Sequence, residues 1–304
     1  MIKKDISKII EKDHVKFISV CFVDALGQLR SKLVNKRKVI DALNKDGKGL
    51  TIALPSLALG YCDTQVEISG FSSNKDKFGD IPAKIDFDSL RILPFENEGQ
   101  NLICFIELED EYKSFCSRSI LKKILNKANK QDLYPRFGVE LEFTLLDETS
   151  KSIKNKSYNN LSTTTLESSY NLLQRQNLQS EIYNNFINFS EIMKIEVEAW
   201  HEEMGAGFME VALLSGKTIK SADDTILVKH LIKQIALRHD KLATFMARWS
   251  NDADGHSGHI HISLENDKKE NLFKNNSKTF KNFVSGMQSY SPELMLLFAP
   301  NANS

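Results

Sequence analysis

The stretch that decides the fold reads Phe137-Gly138-Val139-Glu140-Leu141-Glu142-Phe143-Thr144-Leu145. Apolar and polar residues alternate along it, which predicts a β-strand with one buried face. Glu140 and Glu142 are two residues apart, so both carboxylates point to the polar face. Two neighbouring carboxylates repel each other unless water solvates them or a cation lies between them. The stretch therefore predicts either a solvated sheet face or a cation site.

A second stretch with the same alternation lies near the end of the chain, Gly258-His259-Ile260-His261-Ile262-Ser263-Leu264. His259, His261 and Ser263 share one face of this predicted strand. Two histidines at this spacing either make structural hydrogen bonds or bind a metal. The preceding loop, residues 254–258, is bounded by glycine, so its backbone amides could approach a carboxylate or a phosphate closely.

A third stretch reads His201-Glu202-Glu203-Met204-Gly205-Ala206-Gly207-Phe208-Met209-Glu210. Its two glycines argue against a continuous helix and favour two strands joined by a tight turn, with Glu202 and Glu210 on adjacent strands. The zinc pattern His-Glu-x-x-His is absent because residue 205 is glycine. Carboxylate-rich sites suit Mg²⁺ or Mn²⁺ better than zinc, and paired ions of this kind hold ATP phosphates. These patterns alone predict a metal-assisted enzyme of undetermined reaction.

Length and composition narrow the class of protein. The chain has 304 residues, enough for two domains, and is 41% apolar and 26% charged. Basic and acidic residues number 40 each, so a nucleic-acid ligand is not expected. No stretch approaches the length of a membrane span and no apolar signal core follows Met1, so we expect a cytoplasmic protein without a membrane anchor. Four scattered cysteines predict free thiols in a reducing compartment: Cys21, Cys62, Cys104 and Cys116.

The order of elements predicts an α+β protein of two domains. Residues 15–34 are typical of a hairpin, a short helix follows at 36–43, and residues 102–108 form a further strand. The first domain is expected to end near residue 112.

Three further segments are expected in the second domain. A helix from Ser117 or Ser119 to Gln131 should bury one face, made of Ile120, Leu121, Ile124 and Leu125. Residues 147–180 should form a long surface excursion, and residues 221–239 a second helix.

The order and spacing of these segments resemble the glutamine synthetase family along nearly the whole chain. The family pattern Gly-x-Glu-x-Glu-Phe matches residues 138–143, and His-x-Glu…Gly-Gln-x-Glu resembles residues 201–210. Gly-Ser-Gly-x-His-x-His-x-Ser-Leu resembles residues 255–264. Three other segments are also similar: Ala222-Asp223-Asp224 through Lys229 and Lys233, Ala243-Thr244-Phe245-Met246, and Phe22-Val23-Asp24…Gly27 with Asp80…Asp86…Pro94.

The resemblance implies a particular fold and site. It implies an N-terminal β-grasp domain at 1–112 and a catalytic domain at 113–304, whose antiparallel sheet or half-barrel carries the active site between flanking helices. One metal would be bound by Glu142, Glu202 and Glu210, and a second by Glu140 and His259. The nucleotide would lie beside His261 and Ser263, and the glutamate substrate beside Gly255 and Asp254.

The resemblance also implies a reaction, in which the γ-carboxylate of glutamate attacks ATP and an amine then displaces phosphate from the resulting acyl phosphate. Two or more Mg²⁺ or Mn²⁺ ions would neutralise charge between the anionic reactants. The expected partners are glutamate, ATP and ammonia or a small amine, and the complete protein is expected to form a homo-oligomeric ring.

Four departures from the family pattern bear on this interpretation. Phe208 stands where the family has Gln, and Asp254 where it has Asn. The family's Phe-Asp-Gly-Ser-Ser loop, which helps to bind ammonia, has no clear counterpart at residues 54–57, so the amine stays open. Residues 298–304 resemble the segment before the family's catalytic arginines, so we expect the chain to be incomplete at its C-terminus. We therefore assign no catalytic residue within it and expect the 304 residues alone to be inactive, although they could still bind metal. A non-catalytic homologue, or another phosphoryl-transfer enzyme on the same barrel, stays an alternative.

Overall fold

The computed structural model describes residues 3–57, 59–64, 66, 79–95, 101–168 and 170–299. The chain divides into two compact units, the first comprising Met1–Asn126 with Ile192–Lys194, the second Lys127–Glu191 with Ile195–Ser304. Both units combine a sheet with helices, which confirms the predicted α+β class. The predicted domain boundary near residue 112 stays a prediction.

The first unit is built on a five-stranded mixed sheet in the order β2-β1-β5-β4-β3. Its strands are β1 (Phe17–Val23), β2 (Leu29–Asn35), β3 (Leu50–Ala53), β4 (Asp80–Leu93) and β5 (Asn101–Leu108), and its helices are α1 (Lys3–Ile10), α2 (Lys36–Asn44) and α3 (Ser117–Asn129). β1 pairs antiparallel with β2 and parallel with β5. The predicted hairpin is confirmed. Its turn is held by the Asp24 carboxylate, which accepts hydrogen bonds from the amides of Leu26 and Gln28 at 2.9 and 2.8 Å.

The predicted buried face of α3 is wrong. Ile120 is 45% exposed and Ile124 is 55% exposed, and none of the helix's residues is buried. The core of the first unit is filled instead by residues of α1 and α2, such as Ile10 and Val39. A helical repeat identifies an apolar stripe, but whether another element covers that stripe depends on the tertiary packing.

The second unit is built on an antiparallel sheet in the order β10-β6-β8-β7, with β9 and β11 also paired to β6. The strands are β6 (Tyr134–Leu146), β7 (Val197–Glu202), β8 (Phe208–Leu213), β9 (Gly216–Lys217), β10 (Leu242–Thr244) and β11 (Gly258–Glu265). The helices are α4 (Ser150–Asn155), α5 (Leu173–Leu178), α6 (Ser180–Ile192), α7 (Thr218–Arg238) and α8 (Lys278–Phe298). The expected antiparallel sheet with helices is confirmed.

β6 divides this unit into a buried layer and a polar layer. Phe143 and Leu145 are fully buried, and the Phe143 ring stacks on Phe245 at 5.2 Å and meets Trp200 edge-on at 5.4 Å. Helix α7 packs against β6 with a row of buried aliphatic residues, among them Leu231. Since successive strand residues alternate, the opposite face of β6 carries its polar side chains.

The predicted excursion at 147–180 contains two short helices, α4 and α5, and its first part is tied to Glu148. Glu148 is only 3% exposed. Its carboxylate accepts hydrogen bonds from the Lys156 ammonium, the Ser152 hydroxyl and the Ser162 amide. These bonds hold the pKa of Glu148 at about 2, against an ordinary 4.5, with the Lys156 bond as the largest cause.

Among the described residues, no helix is long and apolar enough to cross a membrane.

Candidate active site

Strand pairing brings three carboxylates to one face of the second sheet. Glu142 on β6 lies directly opposite Glu210 on β8, and Glu140 lies opposite Ala212. Directly opposed residues of an antiparallel pair share a face, and residues two apart on one strand do so as well. Glu140, Glu142 and Glu210 therefore project from the same side of the sheet.

β11 adds imidazoles to these carboxylates. His259 lies opposite Glu140 in the β11–β6 pairing, and its Nδ1 is 3.1 Å from Glu140 Oε2. His261 Nε2 is 3.0 Å from the other oxygen of the same carboxylate. A carboxylate oxygen of Glu140, a carboxylate oxygen of Glu210 and a ring nitrogen of His259 all lie within 4.8 Å of one another. The two stretches that the sequence singled out thus meet at one point.

The pKa values of the two carboxyl groups diverge. Burial raises the pKa of Glu210, and the negative charges of Glu140, Glu142 and Glu203 raise it further, against the opposing effect of His201. Burial also acts to raise the pKa of Glu140, but hydrogen bonds from His261 and His259 outweigh it and lower that pKa. The face thus concentrates negative charge that the surrounding protein only partly balances.

Glu202 does not join this face in the observed register. It lies opposite Met209, whereas His201 lies opposite Glu210. The cause is a β-bulge between Val197 and Ala199, which shifts the pairing by one residue. A one-residue shift turns every later side chain to the other face.

Glu203 lies together with His201 and Glu210. Its Oε1 is 2.9 Å from His201 Nε2, and His201, Glu203 and Glu210 form a second group with ligand atoms within 4.8 Å. Sequence reasoning did not select His201 or Glu203 as ligands. The bulge that brings them to this face has no signature in the alternation of apolar and polar residues. The assignment of Glu202 as a metal ligand stays a prediction.

The residues present fit a hard divalent cation. Carboxylate oxygens with one or two imidazole nitrogens are donors that Mg²⁺ and Mn²⁺ accept. Burial raises the pKa of Glu210, and the neighbouring carboxylates of Glu140, Glu142 and Glu203 raise it further, so a bound cation would favour its charged form. Glu140, Glu210 and His259 could hold one ion, and His201, Glu203 and Glu210 a second.

The loop before β11 is fixed to the carboxylate face by its backbone. The Ser257 amide donates to Glu142 Oε2 at 2.6 Å, and the Ser257 hydroxyl lies 3.1 Å from His259 Nε2. The predicted nucleotide residue His261 contacts Glu140, as described above, while Ser263 lies further along β11, opposite Arg136. The roles of these two residues toward ATP stay predictions.

His256 is a site residue that sequence reasoning did not select. Its Nδ1 donates to the Met246 carbonyl at 2.8 Å, and its Nε2 lies 2.6 Å from the hydroxyl of Thr144. Burial lowers the pKa of His256, although the Met246 carbonyl and the charge of Glu142 act in the opposite direction. A neutral imidazole with Nδ1 protonated therefore accepts the hydrogen bond of Thr144. This histidine joins the loop to β6 and to the segment after β10.

A cavity of about 1110 Å³ opens beside the carboxylate face. Thr144 and His256 line it, as do both predicted substrate residues, Gly255 and Asp254. The Arg248 guanidinium also lines it and donates to the Asn251 carbonyl at 3.0 Å. The structure thus places the predicted substrate loop next to the candidate metal ligands, within the second unit.

An antiparallel sheet with carboxylates and imidazoles gathered on one face is a candidate site for a divalent cation. Comparison with known proteins identifies the family: residues 114–304 match the family described as "Glutamine synthetase, catalytic domain". This chain belongs to the glutamine synthetase family.

Individual relatives show the same family with different activities. The chain is 31% identical over 296 residues to "Type-1 glutamine synthetase 2" of Dictyostelium discoideum, covering 95% of this chain and 56% of that protein. It is 28% identical over 312 residues to "Glutamate--isopropylamine ligase" of Pseudomonas sp, covering 99% of this chain and 68% of that protein. A solved structure, "GmaS/ADP complex-Conformation 1", has the same fold with a TM-score of 0.81 at 22% identity, covering 98% of this chain and 66% of that one. The chain therefore spans about half to two thirds of the length of these relatives.

Proposed function

We propose that this chain carries the site of an ATP- and divalent-metal-dependent ligase that joins the γ-carboxylate of glutamate to ammonia or a small amine. The observation that carries the proposal is the convergence of Glu140, Glu210 and His259, with ligand atoms within 4.8 Å of one another. Membership of the glutamine synthetase family supports the reaction class, because the named relatives include both a glutamine synthetase and a glutamate–amine ligase.

The proposed reaction joins its atoms in two steps. An oxygen of the γ-carboxylate attacks the terminal phosphorus of ATP, and ADP leaves. The amine nitrogen then bonds to the γ-carbonyl carbon, the bond from that carbon to the phosphate oxygen breaks, and the nitrogen loses a proton as the amide forms. When bound, the divalent cations would neutralise the charge that accumulates between the anionic reactants.

The residues of this chain have distinct proposed parts in that reaction. Glu140, Glu210 and His259 would hold a cation. Glu142 would be oriented by the hydrogen bond that it accepts from the Ser257 amide. His261 would lie beside the nucleotide. The loop at 254–255 would bind glutamate, since it lines the cavity beside these ligands.

The test is a pair of measurements on the protein as its complete coding sequence encodes it. Isothermal calorimetry with Mn²⁺ and a non-hydrolysable ATP analogue reports binding, and phosphate release in the presence of glutamate and a panel of amines reports the ligase reaction. Glu140→Gln should weaken Mn²⁺ binding tenfold or more, while Glu191→Gln, an exposed acid of the same unit, should not. Metal binding without amine-dependent phosphate release would favour the non-catalytic homologue, and the absence of both would contradict the proposal.

Assembly is a further part of the proposal. We propose that the protein forms a homo-oligomeric ring, as the family resemblance implies. Sedimentation velocity at several protein concentrations tests this directly, since a ring sediments as one large species rather than as a monomer.

A further inference from the structure

Ser257 contacts two of the predicted cation ligands from one position. Its hydroxyl lies 3.1 Å from Nε2 of His259, and its amide donates to Oε2 of Glu142 at 2.6 Å. Its carbonyl accepts from the Glu142 amide at 3.3 Å, so the residue is also paired to β6 through its backbone. The family pattern has glycine at this position, which carries no hydroxyl. The contact with His259 therefore comes from a side chain that the family pattern lacks.

The imidazole of His259 is held from both sides. Its Nδ1 lies 3.1 Å from Oε2 of Glu140, whereas its Nε2 lies beside the Ser257 hydroxyl. An ionised carboxylate only accepts hydrogen bonds, but a hydroxyl both donates and accepts. In a neutral imidazole, Nδ1–H can thus donate to Glu140 while Ser257 donates to Nε2. To bind a cation through Nδ1, His259 must carry its proton on Nε2, and Nε2–H then donates to the same hydroxyl.

Neighbouring bonds fix the loop that carries Ser257. The preceding residue, His256, is buried, and its ring nitrogens lie 2.8 Å from the Met246 carbonyl and 2.6 Å from the Thr144 hydroxyl. The His256 amide donates to the Ala247 carbonyl at 2.7 Å. The loop is therefore tied to β6 and to the segment after β10, and holding a hydroxyl in place on it costs little further conformational entropy.

We propose that Ser257 is a positioning residue of the candidate cation site, whose hydroxyl directs Nδ1 of His259 toward the cation and accepts the proton of Nε2. This proposal rests on the proposed function, because it concerns the same site. Groups that hydrogen-bond the second nitrogen of a ligating imidazole contribute roughly ten- to hundredfold to metal affinity. Ser257 and His259 are both exposed, so water can partly replace the hydroxyl, and the lower end of that range applies.

The nitrogen that binds the cation is read directly by nitrogen NMR of isotope-labelled histidine, in the protein as its complete coding sequence encodes it. Zn²⁺ serves as a diamagnetic probe, and the spectrum of His259→Gln identifies the signals of this histidine. We expect Nδ1 to show the shift of a metal-bound nitrogen and Nε2 to carry the proton. Zn²⁺ bound through Nε2 overturns the proposal, and this measurement needs no variant of Ser257.

Calorimetric titration with Mn²⁺ measures the contribution of the hydroxyl. Ser257→Ala should weaken Mn²⁺ binding about tenfold, and Ser257→Thr, which keeps a hydroxyl, should restore most of that affinity. The matched control is Ser289→Ala, which removes an exposed hydroxyl on α8 and should leave Mn²⁺ binding unchanged. Thermal unfolding of each variant shows whether its fold is kept.

The outcomes separate this proposal from the proposed function. Wild-type Mn²⁺ affinity in Ser257→Ala overturns the positioning role, as does a loss that Ser257→Thr does not restore. Amine-dependent phosphate release in either case would leave the ligase function standing. A wild-type protein that binds no Mn²⁺ contradicts the proposed function, and the positioning role is overturned with it.

Discussion

Glu202 and Glu203 are chemically identical neighbours that the fold treats differently. Glu202 is 2% exposed and lies opposite Met209, while the Glu203 carboxylate contacts His201 beside Glu210. The pair therefore allows a comparison in which charge and size are held constant.

We predict that Glu203→Gln weakens Mn²⁺ binding by roughly tenfold or more, the usual loss for a partner of metal ligands, and that Glu202→Gln weakens it less. The reason is the register after the bulge, which directs Glu203 and not Glu202 toward His201 and Glu210. Calorimetric titration of both variants with Mn²⁺ measures the difference. A larger loss for Glu202→Gln would mean that the sheet pairs without the bulge and that the family alignment gives the better ligand set.

Glu148 provides a residue-scale test of pH dependence. Its pKa of about 2 in the fold lies below the ordinary 4.5, so its charged form is stabilised by folding. That contribution is fully present above about pH 4.5 and is lost as the pH falls toward 2. Glu148→Gln should therefore be less stable than wild type at neutral pH and should lose less stability across this acid range.

Urea unfolding at several pH values measures that difference, with Glu167→Gln, an exposed acid of the same segment, as the control. Parallel stability–pH curves for Glu148→Gln and wild type would show that the hydrogen bonds to Lys156, Ser152 and Ser162 do not favour the charged carboxylate.

At the scale of elements, the turn between β7 and β8 depends on Gly207. This glycine has φ of +65°, and a β-carbon there would lie 2.6 Å from the Leu145 carbonyl oxygen. The same turn is held by the Gly207 amide, which donates to the Thr165 hydroxyl at 2.7 Å, and by the Gly207 carbonyl, which accepts from the Leu145 amide at 2.9 Å. Both the positive φ and the close approach exclude a side chain at this position.

We predict that Gly207→Ala lowers the free energy of unfolding by about 1–3 kcal/mol, because the left-handed backbone and the contact with β6 are both strained. Gly286→Ala is the matched control: it lies inside α8, has no atom within 4 Å of an added β-carbon, and should be neutral or stabilising by up to about 1 kcal/mol. Chemical denaturation of both variants gives the two values. A Gly207→Ala variant as stable as wild type would show that the turn adopts another conformation.

At the scale of the whole molecule, the carboxylate face links folding stability to cation binding. The pKa of Glu210 is raised by burial and by the negative charges of Glu140, Glu142 and Glu203, so its negative charge is unfavourable in the folded protein without metal. A bound cation would reverse that effect. Without a bound cation the carboxylate face is therefore expected to lower the free energy of unfolding, and with a bound cation to raise it.

We predict that Glu210→Gln raises the melting temperature of the metal-free protein and removes most of the stabilisation that Mn²⁺ gives to wild type. For a single site, a ligand at one hundred times its dissociation constant stabilises by about 2.7 kcal/mol. Differential scanning calorimetry with and without Mn²⁺, with Glu191→Gln as control, measures both effects. Lower stability of metal-free Glu210→Gln would indicate that Glu210 makes a favourable structural contact in the absence of a cation.

The sequence by itself determined the local features of this protein. The alternation at residues 137–145 and 258–264 identified two strands and assigned Glu140, Glu142 and His259 to their polar faces, because side-chain direction along a strand depends only on position parity. Turn residues identified the first hairpin, and the helix expected at 221–239 is α7, which begins three residues earlier, at Thr218. The family resemblance then related these separate stretches to one site, which local pattern could not do.

Only the tertiary structure decided which surfaces meet. The bulge between Val197 and Ala199 turned Glu203 rather than Glu202 toward Glu210, because strand register is set by pairing between distant segments. The contacts of His256 also depend on the tertiary structure, because its partners Thr144 and Met246 lie 112 and 10 residues away. So does the exposure of the apolar stripe of α3, which no described element covers. Pattern along a chain determines the direction of a side chain within its own element, whereas its neighbours depend on how the elements pack.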